Sequence, residues 1–253
     1  MKLTLLQISP KLKKATVNEF EEYLKEVDKD SDLVVFPELT LNGYMLKDAV
    51  YEDAYSLNEI EKFAKLSESY DLVFGAVLKE NHKIYNSAFY CSNGKILKTH
   101  KKTALPNYGL FQEARFFFKG ENLEAFETKF GKVFLVVCEE LYNAQIIAKI
   151  AQEKPDTVIV ISNSPSRGFE EDGLLIQKQW ESLLCSTALL SGANVVFVNR
   201  VGFEDGLGFW GGSCVVDARA KVTKRAKLFE EEGLIVDIDK KLSDTQKYLL
   251  RQY

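Results

Sequence analysis

The chain has 253 residues, 46% hydrophobic and 28% charged, with 5 prolines and a formal net charge of −4. That length can bury a sizeable core as one large domain or two small ones. The slightly acidic balance argues against a basic surface for nucleic acid or an anionic membrane, and no stretch approaches the roughly 18 apolar residues of a membrane span.

In chain order, "MKLTLLQISPKLKK" is too short in its apolar part, and too soon followed by lysines, to be a secretion signal; its "KLTLLQIS" alternates as a strand. "TVNEFEEYLKEVDKD" sets Val17, Phe20, Leu24 and Val27 on one helical stripe. "DLVVF" reads as a strand buried on both faces, stopped by Pro37. "LNEIEKFAKLSESY" predicts a second amphipathic helix and "DLVFGAVL" a third strand. "KIYNSAFYC" and "KILKTHK" flank the hairpin signal "SNG". From Thr103 to Glu121 periodicity is lost in a long loop rich in aromatics, a length usually kept for function.

Next come a strand "KVFLVV", a helix "AQIIAKIAQE", a strand "DTVIVIS", a helix "LLIQKQWESLLCSTALLSG" and a strand "NVVFVN". "GSCVVD", "AKVTKRA" and "GLIVDID" follow as strands, and "KKLSDTQKYLLRQ" as a short polar helix. "FEDGLGFWGGS" reads as a glycine-rich loop without dinucleotide spacing, and "FEEDG" and "FEEEG" as solvated acidic loops. With no repeat or linker, residues 1–253 read as a single α/β domain of mixed sheet. Cys91, Cys138, Cys185 and Cys214 lie far apart with no CxxC, which predicts a reduced, cytoplasmic protein without disulfides.

Sites in such folds gather at the carboxyl ends of strands. There the sequence places Glu38 after "DLVVFP", Cys138 after "KVFLVV", and "NSPSR" after "DTVIVIS". Taken singly, each has an ordinary reading. Cys138 suits a small core hydrophobe, as do the other three cysteines. Glu38 suits a capping acid or the partner of a structural cation, and Lys102 a solvated charge. Lys101 and Lys102 alternate, so only one of them can face the interior. Taken together, a thiol, a carboxylate base and an ammonium that stabilises an oxyanion make an acyl-transfer set. That set needs no histidine, which suits a chain with only His82 and His100; a Cys-His peptidase or a zinc site would have to use one of these.

The motifs "FPELTLNGY", "HKKTALP" and "VCEELYN" occur in the order of the Glu, Lys and Cys motifs of the nitrilase superfamily of carbon–nitrogen hydrolases, which the sequence resembles over nearly its whole length. The resemblance implies a four-layer αββα sandwich paired into homodimers through helices. It implies Glu38 as base, Lys102 as oxyanion stabiliser and Cys138 as nucleophile, with the backbone N–H of Glu139 at the oxyanion and a thioester intermediate. No metal or organic cofactor is implied. Glu113 matches a second acid of the family; a salt bridge with Arg115 is its other reading.

"LPNYGLFQEARFF" is similar to the glutaminase domain of glutamine-dependent NAD synthetases. That likeness implies Tyr44, Tyr108, Glu139, Tyr142 and Ser164 around a small-molecule amide, although packing explains Tyr44 as well. Glu170 stands where that branch carries an arginine, with Arg167 near but out of register. The expected substrate is therefore a linear amide, with glutamine hydrolysed poorly unless a separate ammonia-accepting synthetase is the partner; the alternative of another class is a non-catalytic metabolite-binding homologue. No "SGGxDS" nucleotide loop is present, so this chain by itself is not expected to make NAD.

Overall fold

The computed structural model describes residues 1–250. Two six-stranded sheets stack face to face. In the first, β1 (Lys2–Gln7), β2 (Leu33–Val35) and β3 (Asp71–Glu80) run parallel. β4 (Lys83–Ser92) and β5 (Lys95–Lys101) continue it antiparallel, and β16 (Glu232–Asp237) closes the far edge against β1. In the second, β7 (Gly131–Val137), β8 (Thr157–Ser162) and β11 (Asn194–Asn199) are parallel. β6 (Phe126–Thr128) lies at one edge, with β14 (Cys214–Val216) and β15 (Val222–Arg225) at the other.

The period-2 alternation of each strand splits its side chains between two cores. Leu3, Leu5, Leu33, Val35 and Val73 meet Leu135, Val137, Ile159, Ile161 and Val198 between the sheets. On the outer face of the first sheet, Val34, Phe36 and Phe74 pack with residues of α1 (Val17–Leu24) and α2 (Leu57–Ala64). On the outer face of the second, Phe134, Val160 and Phe197 pack with α4 (Ala144–Glu153) and α5 (Leu175–Ser191). The result is the expected αββα layering. Each fully buried Val, Leu, Ile or Phe contributes about 1.5–3 kcal/mol. Among the described residues no helix is long and apolar enough to cross a membrane.

Both early helices are shorter than their stripes suggested. Each starts at a capping box, Thr16 with Glu19 and Ser56 with Glu59, a device in which the cap is worth ~1 kcal/mol. Val27 keeps its place against the core but lies past the helix end. α4 stops where Lys154 turns left-handed (φ 48°) ahead of Pro155, and α5 where Gly192 does the same (φ 67°). α6 (Lys240–Leu250) covers α5, Ser243 donating to the Gly192 carbonyl. Arg251 and Gln252, the end of the expected polar helix, lie outside the described residues.

Two segments read as loops are hairpins. β12 (Val201–Glu204) and β13 (Leu207–Trp210) pair around Asp205 and Gly206, both with positive φ (49° and 81°). That is the Asp-Gly turn chemistry of a two-residue hairpin; the glycines beyond it masked the signal. β9 (Phe169–Glu170) and β10 (Gly173–Leu174) form the second, too short to show alternation. Within the aromatic loop, α3 (Glu113–Phe116) is a single helical turn.

Candidate active site

The carboxyl ends of β2, β5, β7 and β8 meet at one end of the sandwich. Glu38 leaves β2 through Pro37 and is fully buried. Its Oε1 accepts from Lys102 Nζ and Asn86 Nδ2, both at 2.7 Å, and its Oε2 from the Asn163 backbone N–H at 2.8 Å. Gly75 on β3 makes room for this turn: a Cβ there would stand 2.3 Å from the Leu39 nitrogen.

Lys102 follows β5 and turns inward, while Lys101 pairs with Glu80 at the surface. The backbone of Lys102 is held on both sides, its N–H donating to Asn86 O and its carbonyl accepting from Gly120, each at 2.8 Å. The aromatic loop thus returns to the strand end it left. It delivers Glu113, whose Oε1 accepts from Lys102 Nζ at 2.8 Å and from the Tyr44 hydroxyl at 2.8 Å. Glu113 therefore does not pair with Arg115, which approaches Asp48 instead. Tyr44 is a polar contact as well as packing.

One ammonium between two buried carboxylates sets the electrostatics. Burial pushes Glu113 up to about 7; the Lys102 charge opposes that rise and Glu38 adds to it. Burial works against the Lys102 ammonium, but the carboxylates of Glu113 and Glu38 outweigh it and hold its pKa above the usual value. Removing one partner from such a cluster strands the others' charge in low dielectric.

Cys138 ends β7 with a left-handed backbone (φ 47°) and opens a one-turn 3₁₀ helix, Cys138–Tyr142. A non-glycine residue in that conformation costs ~1–3 kcal/mol and is held only where its surroundings impose it. Burial pushes the thiol well up, the Glu38 charge adds to this, and the Lys102 charge and a hydrogen bond from Ser162 (3.2 Å) oppose it. A thiol raised in this way needs a base to act as a nucleophile, and Glu38 is the carboxylate whose charge acts on it most strongly.

The sequence reading missed the residues that align these groups. Glu140, fully buried, accepts from Val137 N–H (2.6 Å), from Thr103 N–H (2.6 Å) and hydroxyl (2.7 Å), with His100 Nε2 at 2.8 and 3.0 Å. It thus ties the residue before Cys138 to the residue after Lys102. His100 is its buried partner and lies in no Cys-His pair. Asn86 and Asn163 were also missed. Both atoms of the buried Asn163 amide, Asn86 Oδ1 and Glu113 Oε2 have no partner among the described residues. A second acid two residues after the thiol was the one signal available for Glu140.

The remaining expected site residues divide. Tyr108 donates to the Glu139 carboxylate (2.9 and 3.0 Å), and Tyr108, Glu139 (the residue after Cys138) and Tyr142 line an open groove of about 930 Å³. Ser164 lies deeper. Its hydroxyl accepts from Trp180 Nε1 (2.9 Å) and Trp210 Nε1 (3.3 Å), which leaves its own proton to offer. Glu170 is exposed on β9 and its carboxylate is bound by Lys178 at 2.7 Å. Arg167 lies beside the hydroxyl of Tyr108 and within electrostatic reach of Tyr142, while Arg115 and Lys119 are the cations that line the groove itself.

Residues 2–248 match the sequence profile of the carbon–nitrogen hydrolases. The glutamine-dependent NAD(+) synthetase of Thermotoga maritima is 32% identical over 251 residues, a match covering 94% of this chain but 42% of that protein. A probable nitrilase of Schizosaccharomyces pombe is 27% identical, covering 94% of this chain and 89% of its own. Among solved structures, the glutamine-dependent NAD+ synthetase of Acinetobacter baumannii superposes with a TM-score of 0.81 at 30% identity, over 97% of this chain and 46% of that one. A carbon–nitrogen hydrolase from Helicobacter pylori has the same fold, with a TM-score of 0.83 at 22% identity, over 99% of this chain and 93% of its own.

Proposed function

The chain belongs to the carbon–nitrogen hydrolase family, and on that footing we propose that it hydrolyses the terminal C–N bond of a small linear amide through a Cys138 thioester. The observation that carries the reading is Lys102 Nζ bridging Glu38 (2.7 Å) and Glu113 (2.8 Å) in a buried cluster whose charges act on the Cys138 thiol. Glu38 takes the thiol proton as sulfur attacks the carbonyl carbon. Lys102 and the Glu139 N–H stabilise the oxyanion. Glu38 returns the proton to departing ammonia, then activates the water that releases the acid. Glu113 keeps Lys102 aimed and shares the excess negative charge.

The groove favours a substrate with an anionic far end. Arg167, beside Tyr108, supplies a cation and Ser164 a hydroxyl proton, while Glu170 is occupied by Lys178. Free glutamine fits that description better than the sequence alone suggested. A second reading, a glutaminase that feeds ammonia to a separate synthetase, draws support from the relatives, of which this chain spans less than half. The reading treats residues 1–253 as one catalytic domain, working in the cytoplasm. It includes a homodimer, for which Leu189 and Leu190 stand exposed on α5. The test is ammonia release by the purified protein from glutamine, other ω-amides, nitriles and carbamoyl compounds. Turnover of a carboxylate-bearing amide supports the first reading. Turnover only when a synthetase is added supports the second, and release from nothing in the panel with or without a synthetase rejects both.

A further inference from the structure

Glu38 and Lys102 were legible as partners of the thiol, yet the hydrogen bond that reaches Sγ comes from neither. It comes from the Ser162 hydroxyl, which lies 3.2 Å from the sulfur and donates to it. The parallel register of the second sheet puts it there. Val137 stands opposite Ile161, so the next residues, Cys138 and Ser162, leave their strands side by side. Ser162 is fully buried, its strand is paired on the other side with Asn199 of β11, and its carbonyl accepts from Arg200 N–H at 3.2 Å. The following peptide N–H, from Asn163, donates to Glu38 Oε2. One dipeptide therefore directs a side-chain donor at the nucleophile and a backbone donor at the base.

We propose that Ser162 is a catalytic residue that stabilises the Cys138 thiolate through this hydrogen bond; the proposal rests on Cys138 being the nucleophile. A hydroxyl that donates to sulfur favours the thiolate over the thiol, where burial and the Glu38 charge both act against it. In the forward step the thiol proton passes to Glu38, the sulfur lone pair forms the C–S bond, and the carbonyl π pair moves to oxygen. The Ser162 proton stays on its own oxygen throughout. The bond weakens as sulfur becomes a thioester, and strengthens again when the C–S bond breaks and the electron pair returns to sulfur during deacylation.

The test is the pH dependence of iodoacetamide alkylation at Cys138, located by peptide mapping, in wild type, Ser162→Ala, Ser162→Gly and Ser162→Thr, with circular dichroism to establish folding. In the alanine and glycine variants the inflection should move up by about one pH unit and the rate at neutral pH fall about tenfold. The threonine variant, which keeps the hydroxyl, should stay within about threefold of wild type. Alanine and glycine also open space around sulfur, so a merely steric role would speed alkylation, the opposite sign. Unshifted or accelerated profiles in both folded variants overturn the proposal, even if turnover falls. Failure of the nucleophile assignment reads differently: wild type alkylated at Cys138 would then retain turnover.

Discussion

The buried charge cluster that acts on Cys138 and the open groove lined by its neighbour Glu139 follow opposite rules. Glu38, Lys102 and Glu113 are 0%, 1% and 4% exposed, whereas Tyr108 and Tyr142 are 48% and 37% exposed. In the cluster, every charge is set by neighbours at 2.7–2.8 Å, and low dielectric makes each partner matter to stability and to chemistry alike. In the groove, water screens the same kinds of group, so Tyr108, Glu139 and Arg167 can tune binding at little cost to the fold. The proposed reacting groups sit at strand ends, and the proposed recognition groups stand mostly on connecting segments that can vary without disturbing them.

The comparison is broken most severely by Cys138→Ala. Turnover should fall to background while circular dichroism and thermal unfolding stay close to wild type. A variant that keeps activity, with Cys185→Ala losing it, would reassign the nucleophile. Next, Glu38→Gln should lower kcat by roughly 10²–10⁴, the range of general-base catalysis; a loss below about tenfold would point to another base, Glu113 first. Lys102→Met should slow acyl-enzyme formation and also destabilise the fold by about 3–5 kcal/mol, because it strands two buried carboxylates. Chemical denaturation and single-turnover kinetics read these two effects separately.

Glu113→Gln sharpens the contrast through pH. The carboxyl of Glu113 is raised in the folded state from 4.5 to about 7. Its contribution to stability is therefore fully present below the unfolded value and is lost as pH rises through the folded one. The glutamine variant lacks that loss. Wild type relative to variant should become less stable by up to about 3 kcal/mol across this window, and parallel stability-pH curves would show that Glu113 is not raised. The smallest effects belong to the groove. Arg167→Ala should raise KM for carboxylate-bearing amides by about tenfold or less with kcat nearly unchanged. Glu170→Arg should change KM by less than about twofold, since it alters an exposed ion pair. A gain of glutamine activity in Glu170→Arg would place that residue at the substrate after all.

The sequence by itself determined a mixed α/β domain and the proposed reacting groups, and its likeness to the carbon–nitrogen hydrolases implied the four layers. Continuous apolar strands such as "DLVVF" and "DTVIVIS" must be covered on both faces, amphipathic helices supply the cover, and the three motifs carry a base, a cation and a thiol. Local rules reached that far because each depends on residues within a few positions of one another. Tertiary structure alone decided which polar groups meet across the sandwich. Strand register put Ser162 against Cys138. The return of a long loop took Glu113 away from Arg115 and gave it to Lys102. A buried carboxylate, Glu140, joined the end of β7 to Thr103, 37 residues before it along the chain. A hairpin drew Glu170 outward to Lys178, and Arg167 came to lie beside Tyr108. Such contacts join residues that are distant in sequence. Hydrogen-bond geometry and desolvation select them only after the sheets have packed, so no local pattern announces them.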